Sequence, residues 1–155
     1  MIQTALKKQT ALSISGRVIR GDQYGRILGF PTANLDRRSY SRRKQNIKFG
    51  IYGGVAEFKL KAISYKLKAG VIIGPLDKSG LPKLEAHLIG FKGNLYGKKI
   101  TVTLQKYLRP FKKFKSEKEL KEQIKKDLNR IKKIIYGKQS TKEKWILSKL
   151  PISNT

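Results

Sequence analysis

The sequence contains no cysteine, and His87 is the single histidine among its 155 residues. A disulfide framework, a thiolate metal site and a cysteine nucleophile are therefore excluded, and so is a metal site built from several histidines. No apolar run approaches the roughly 20 residues that a membrane-spanning helix requires. The N-terminus also lacks the apolar segment of a secretory signal. These absences predict a cytoplasmic protein that does not contact a membrane.

Acidic residues are scarce as well. The chain has 10 Asp and Glu against 36 Lys and Arg, which gives a formal charge of +26 at pH 7. Such a field attracts polyanions, whether nucleic acids, anionic membranes or nucleotide phosphates. However, the lysines are spread along the whole chain, which favours solvated surface residues without a partner. The charge alone therefore identifies no partner.

The apolar residues that are present form short alternating segments, which predict a mainly β fold in one domain. Alternation predicts strands at 12–20, 50–58, 63–73 (with a break at Ala69 and Gly70), 84–89 and 100–105. Between them we expect loops at 25–34 and 36–48 and a turn-rich connection at 74–82. Short strands at even spacing predict a small, closed or nearly closed antiparallel barrel.

One helix is expected after the strands. Ser116 and Glu119 form a capping box, and apolar residues then recur at helical spacing at Leu120, Ile124, Leu128, Ile131 and Ile135. The predicted organisation is an N-terminal arm at 1–11, the barrel and its C-terminal helix at 12–136, and a basic tail at 137–155. That tail could hold one helical turn near Trp145.

The segment 25–34, GRILGFPTAN, carries candidate ligand-binding groups. Its glycines let main-chain N–H groups approach a ligand closely, and Arg26 offers a fork suited to phosphate. If the segment is extended, the oxygens of Thr32 and Asn34 lie on one face and could reach one hard cation. The alternative is a polar hairpin loop whose Thr32 and Asn34 bond their own backbone. Composition and spacing alone favour that alternative.

Glu85 is the best candidate for a general base. It lies within a predicted strand, where acids are disfavoured, although a solvent-facing pair with a lysine explains it too. His87 shares its face and is expected to be structural, while Glu57 and Asp77 have no comparable setting. Protease and zinc-hydrolase arrangements lack the partners that they require. The chemistry left available is phosphoryl transfer, which needs cations, a metal and one proton acceptor.

Eight blocks in order resemble the ATP-dependent riboflavin kinase (flavokinase) family, the kinase module of bacterial bifunctional FAD synthetase. They are SGRV at 15–18, Gly21, GRILGFPTANL at 25–35, GIY at 50–52, LEAHL at 84–88, LYGK at 95–98, YLRP at 107–110 and KKF at 112–114. The resemblance spans about residues 13–130. It implies a six-stranded antiparallel Greek-key barrel with a C-terminal α-helix packed on it. It also implies transfer of the γ-phosphoryl group of ATP to the ribityl 5′-hydroxyl of riboflavin, giving FMN and ADP.

Site roles follow from the same resemblance. Glu85 matches the catalytic carboxylate that accepts the hydroxyl proton, and Thr32 and Asn34 match the pair that holds Mg²⁺. The ATP-side positions are Gly21, Arg26, Thr32 and Tyr96, and the flavin-side positions are Arg109 and Lys112. Riboflavin and ATP are therefore the expected partners.

Three departures from the family pattern stand out. Gly74 is followed by Pro75-Leu76-Asp77, where relatives have a short segment ending in Pro-Thr. Phe111 replaces the glutamate that usually follows the Arg-Pro pair. Many bacterial relatives carry an FMN adenylyltransferase domain with a histidine motif, which a single histidine cannot supply. We therefore expect no FAD synthesis by this chain, whether it is an excised or a separately encoded module.

Two other functions compete with this interpretation. A basic β-barrel could bind nucleic acid, or an inactive relative could bind flavin without phosphorylating it. Against the first, the aromatic residues are not gathered on one strand face as a base-stacking platform requires. Against the second, every residue of the implied site is retained.

Overall fold

The computed structural model describes residues 12–21, 24–41 and 47–135. The predicted arm at 1–11, the predicted tail at 137–155 and the turn near Trp145 lie outside the described residues. Within the described ranges, no helix is both long and apolar enough to cross a membrane.

Six antiparallel strands close into a barrel. The strands are β1 (Leu12–Ile19), β2 (Ala33–Leu35), β3 (Gly50–Leu60), β4 (Ile63–Leu76), β5 (Pro82–Leu88) and β6 (Lys99–Arg109). Their order around the barrel is β1-β2-β5-β4-β3-β6. The helices are α1 (Tyr24–Ile27), α2 (Arg38–Ser41) and α3 (Glu117–Ile134). The predicted barrel with a C-terminal helix is confirmed.

Every second residue of a strand points into the barrel, and these side chains fill its interior. Ile14, Leu67, Ile73, Ile100 and Val102 are each at most 2% exposed. Because side chains alternate across a strand, the residues between them face outward, and the polar groups of the strands are carried there. The outer face therefore carries most of the polar side chains of the strands.

Helix α3 covers part of that outer face, and its predicted N-terminus is confirmed. The Ser116 hydroxyl accepts a hydrogen bond from the Glu119 amide at 3.2 Å, and the Glu119 carboxylate accepts one from the Lys115 amide at 3.2 Å. Ile131 and Ile135 then pack against the barrel and are 0% and 3% exposed. The capping box therefore marks the start of α3, and the apolar stripe of α3 packs the helix against the sheet.

The expected break at Ala69 and Gly70 is wrong, because β4 continues through both residues. Gly53 and Gly70 are register partners on β3 and β4. A Cβ atom at Gly53 would lie 2.9 Å from Ile135 Cδ1, and one at Gly70 would lie 3.4 Å from Ile131 Cδ1. These glycines allow α3 to approach the sheet rather than interrupting a strand.

Other predicted boundaries change as well. The expected loop at 25–34 contains the end of α1 and the start of β2, and the expected loop at 36–48 contains α2. The turn at 74–82 is shorter, because β4 extends to Leu76 through a cis Gly74–Pro75 bond and β5 begins at Pro82. β6 continues to Arg109. The partner strands supply the ladder hydrogen bonds that local periodicity does not reveal.

Candidate active site

Asn34 on β2 lies directly opposite Glu85 on β5. Directly opposite residues of an antiparallel pair have Cβ atoms about 5 Å apart and project from the same face. The flanking residues Leu35 and Ala86 are buried in the barrel, so Asn34 and Glu85 project from its outer face. Glu85 and one member of the Thr-Asn pair, 51 positions apart in the sequence, are thus neighbours.

Arg109 lies in the same register row of outward-facing residues. The register row runs through Ile19, Asn34, Glu85, Ile72, Ile51 and Arg109. Arg109 is therefore three strand spacings from Glu85, which corresponds to about 14 Å around the barrel wall. The carboxylate and this arginine therefore lie in one row on the outer face, with Ile72 and Ile51 between them.

Gly21 lies against the side chain of Asn34. A Cβ atom at Gly21 would lie 2.3 Å from Asn34 Nδ2 and 2.5 Å from Asn34 Oδ1. The absence of a side chain at Gly21 therefore creates the space that the Asn34 amide occupies. This gives the predicted ATP-side glycine a structural reason that the resemblance did not supply.

Two clefts meet at Asn34. A cleft of about 490 Å³ is lined by Arg26, Thr32, Asn34 and Tyr96, together with strand residues and the β5–β6 loop. A smaller cleft of about 220 Å³ is lined by Gly21, Asn34, Arg37, Asp77, Lys83 and Glu85. The first contains most of the predicted ATP-side residues and the second contains the predicted base. Asn34 borders both.

The segment before the Thr-Asn pair is held at both ends. The Phe30 amide donates to the Gly25 carbonyl at 2.7 Å, which closes the turn after α1. His87 Nδ1 donates to the Pro31 carbonyl at 2.7 Å, and the rings of Phe30 and His87 meet edge to face. The expected structural role of His87 is consistent with these contacts. They fix the backbone immediately before Thr32.

Tyr96 is half exposed at the wall of the larger cleft. Its amide donates to Asn94 Oδ1 at 2.8 Å, and the Arg20 guanidinium lies 5.7 Å from the centre of its ring. An exposed aromatic ring in such a cleft can stack on a nucleobase.

The two flavin-side candidates differ in how they are held. Arg109 is bound to Asp127 of α3, with Nη2 to Oδ2 at 2.8 Å. Lys112 is exposed, and its Nζ lies 5.6 Å from the centre of the Phe114 ring. Neither lines the two clefts that meet at Asn34. In the register row, Arg109 lies at the opposite end from Ile19 and Asn34.

Asp77 was not a candidate from the sequence, and it lines the same cleft as Glu85. It forms an ion pair with Arg37. Its carboxylate also accepts hydrogen bonds from the Ser79 amide at 2.9 Å and the Ser79 hydroxyl at 2.6 Å. The Asp-Lys-Ser-Gly run signals a turn, but its proximity to Glu85 depends on the pairing of β4 with β5.

The donor set suits a magnesium ion that is shared with a substrate. Within the described ranges, no group of three or more His, Cys, Asp or Glu side chains could hold a metal. Thr32 and Asn34 instead offer neutral oxygens on one cleft wall. Mg²⁺ retains several waters and commonly takes the remaining ligands from substrate phosphates, so a small neutral set is sufficient. The residues present therefore fit the ion.

A neutral-oxygen pair beside a strand carboxylate, at the junction of two clefts, is suited to phosphoryl transfer. Residues 8–135 match the family model of the flavokinases, described as riboflavin kinase. The chain belongs to this family.

Individual relatives with similar sequences are riboflavin kinases by name. A bifunctional riboflavin kinase/FMN adenylyltransferase from Buchnera aphidicola subsp. Schizaphis graminum is 40% identical over 126 residues, which are 78% of this chain and 38% of the relative. The RNA-binding riboflavin kinase RibR of Bacillus subtilis is 36% identical over 120 residues, which are 75% of this chain and 48% of the relative. The chain thus spans less than half the length of these two relatives.

The crystal structure of riboflavin kinase from Trypanosoma brucei is similar with a TM-score of 0.61. The match covers 88% of this chain and 85% of that chain at 20% sequence identity. At that identity the likeness supports the barrel fold and nothing more.

Proposed function

We propose that this chain is an active riboflavin kinase that converts riboflavin and ATP to FMN and ADP. The observation that carries the proposal is the direct pairing of Asn34 with Glu85 at the meeting point of two clefts. Family membership supports riboflavin and ATP as the substrates, and this pairing supports Asn34 and Glu85 as the reaction site. A cytoplasmic location belongs to the same proposal, because the reaction consumes ATP.

In the proposed reaction, the Glu85 carboxylate accepts the proton of the ribityl 5′-hydroxyl. The hydroxyl oxygen forms a bond to the γ-phosphorus, and the bond from that phosphorus to the β–γ bridging oxygen breaks, releasing ADP. Such transfers depend mainly on positioning and on compensation of the phosphate charge. Glu85 suits this role because it lies on a strand held by partners on both sides, Asn34 on β2 and Ile72 on β4.

Thr32 and Asn34 are the proposed protein ligands of Mg²⁺. When bound, the ion would neutralise phosphate charge and orient the transferred group. The two side chains would hold it from one wall of the larger cleft. Gly21 supports Asn34 by leaving space for its amide.

The two substrates are proposed to approach from opposite sides of Asn34. ATP would occupy the larger cleft, with Arg26 near its phosphates and Tyr96 near its nucleoside part. Riboflavin would extend from Glu85 along the outer face toward Arg109 and Lys112. The register row supports this division, because it separates Glu85 from Arg109 by the width of three strand spacings.

The direct test is FMN formation from riboflavin and Mg·ATP, measured by chromatography for the parent and for Glu85→Gln. We expect turnover by the parent and a loss of at least ~100-fold in the variant, because the amide cannot accept the proton. Glu57→Gln is the matched control, since Glu57 is a half-exposed strand glutamate that pairs with Lys66. A folded but inactive parent contradicts the kinase proposal. Equal activity in Glu85→Gln removes Glu85 from the mechanism.

Nucleic-acid binding is the rival function, and two observations favour it. The chain carries +26 at pH 7, and the relative from Bacillus subtilis is named as RNA-binding. The same preparation is therefore titrated with RNA at several salt concentrations. Tight binding that falls steeply with salt, together with no formation of FMN, establishes the rival.

A further inference from the structure

Asp127 is a buried charged residue on α3, with 8% of its surface exposed. Nothing in the proposed reaction uses it. Carboxylates are rarely buried to this degree unless they are paired, because removing a charge from water is costly. The position therefore requires partners that hold the charge.

Arg109 is the main partner. Its Nη2 donates to Asp127 Oδ2 at 2.8 Å, and its Nε donates to Oδ1 at 3.2 Å and to Oδ2 at 3.0 Å. On the other side, Gln123 Nε2 donates to Asp127 Oδ1 at 2.9 Å. Bidentate pairs of this kind fix the orientation of the guanidinium as well as its position. Asp127 thereby determines which way Arg109 points.

The other side of the Arg109 guanidinium contacts the segment 110–114. Arg109 Nη1 donates to the Pro110 carbonyl at 3.2 Å, and the guanidinium carbon lies 5.9 Å from the centre of the Phe114 ring. Lys112 contacts the same ring from 5.6 Å. Residues 109–114 are thus arranged around one guanidinium group that α3 holds in place.

We infer that Asp127, supported by Gln123, is a positioning residue for riboflavin: it acts through Arg109 to hold segment 109–114 in its flavin-binding arrangement. The inference rests on the proposed kinase function. Helix α3 thereby contributes to substrate recognition, although none of its residues lines the two clefts that meet at Asn34.

A purely structural role is the competing explanation, in which the pair only attaches α3 to the barrel. The helix has a separate apolar attachment, because Ile131 and Ile135 are 0% and 3% exposed and pack on Gly53. A purely structural pair would change stability and leave the kinetics of the folded enzyme unchanged. The two explanations therefore predict different kinetic results.

The test compares Asp127→Asn with the parent well below the unfolding temperature of both. We expect the KM for riboflavin to rise on the order of 10-fold, as for other groups that orient a ligand-binding residue, with kcat and the KM for ATP within about 2-fold. Glu122→Gln, which changes another carboxylate on the same helix, is the control and should match the parent. A lower melting temperature with an unchanged KM for riboflavin overturns the inference.

Gln123→Leu provides a second variant, because it removes one donor to Asp127 and retains the ion pair. It should raise the KM for riboflavin in the same direction by about 2–5-fold, in keeping with one lost hydrogen bond. If Asp127→Asn does not fold, this variant decides the matter, and an unchanged KM overturns the inference.

Hydrogen exchange separates this inference from the proposed function. Both variants should exchange the amides of 111–115 faster than the parent, with no change in the strands around Asn34 and Glu85. If the parent binds no riboflavin, the proposed function fails, and so does riboflavin positioning. A parent that is active while both variants show parental exchange and parental kinetics overturns the positioning role alone.

Discussion

Asn34 depends on a neighbour that has no side chain. In Gly21→Ala, the new methyl would lie 2.3 Å from Asn34 Nδ2, so the amide must move away from its position beside Glu85. We expect kcat/KM for Mg·ATP to fall on the order of 10-fold, as it does for other groups that orient a metal ligand. Stability should change little, because the short Asn34 side chain can rotate.

A double-mutant cycle tests whether the effect of Gly21→Ala depends on the Asn34 side chain. If Gly21→Ala acts through Asn34, then adding it to Asn34→Ala should cause no further loss of kcat/KM. Additive losses would show that Gly21 acts on the nucleotide directly.

Thr32 offers a second oxygen from the same cleft wall. Thr32→Ala removes one proposed ligand of Mg²⁺, so the Mg²⁺ concentration that gives half-maximal FMN formation should rise about 10-fold. Thr101→Ala is the matched control. Thr101 lies on β6, its hydroxyl is 2.7 Å from the Ser15 hydroxyl in a hydrogen bond, and it lines neither cleft. An unchanged Mg²⁺ requirement in Thr32→Ala would refute the assignment.

At the scale of elements, α3 approaches the sheet most closely at Gly53, whose register partner is Gly70. A Cβ atom added at Gly53 would lie 2.9 Å from the Ile135 side chain. One added at Gly70 would lie 3.4 Å from the nearest side chain of the helix. In Gly53→Ala the Ile131 and Ile135 side chains must therefore shift, and the variant should cost about 1–3 kcal/mol of unfolding free energy.

The matched variant Gly70→Ala makes only ordinary contacts and also removes the excess backbone freedom of glycine. It should be neutral or stabilising by up to about 1 kcal/mol. Urea denaturation measures both variants, and equal costs would contradict the proposed close approach of α3 at Gly53.

The elements also differ in how far they could be predicted. Helix α3 is apparent from Ser116, Glu119 and the apolar stripe, because capping and helical periodicity are local properties. Strand β2 is only three residues long, so it contains no periodic pattern to detect. It exists because β1 and β5 supply pairing partners on both sides.

At the scale of the whole molecule, the excess of positive charge opposes compaction. With +26 at pH 7, folding brings like charges together, and salt screens that repulsion. Raising NaCl from about 0.01 M to 0.15 M, which shortens the Debye length from about 30 Å to 8 Å, should raise the melting temperature. About 1 kcal/mol of relieved repulsion corresponds to roughly 2–4 °C for a domain of this size.

Calorimetry or circular dichroism measures this shift, and kinase activity measured at each salt concentration serves as an internal control for folding. A melting temperature that falls with salt would show that ion pairs outweigh the repulsion. The Arg109–Asp127 pair is largely buried, so salt should screen it less than exposed pairs.

The sequence by itself determined the class of fold, the C-terminal helix and the family, because alternation, capping and ordered motif blocks are local properties of the chain. It also identified Glu85, Thr32 and Asn34 as candidates, although residue chemistry alone favoured a plain loop for the last two. Only the tertiary structure decided that Asn34 pairs with Glu85, that Asp77 lines their cleft and that Asp127 holds Arg109. These contacts join residues far apart along the chain, and closure of the barrel and packing of α3 bring them together.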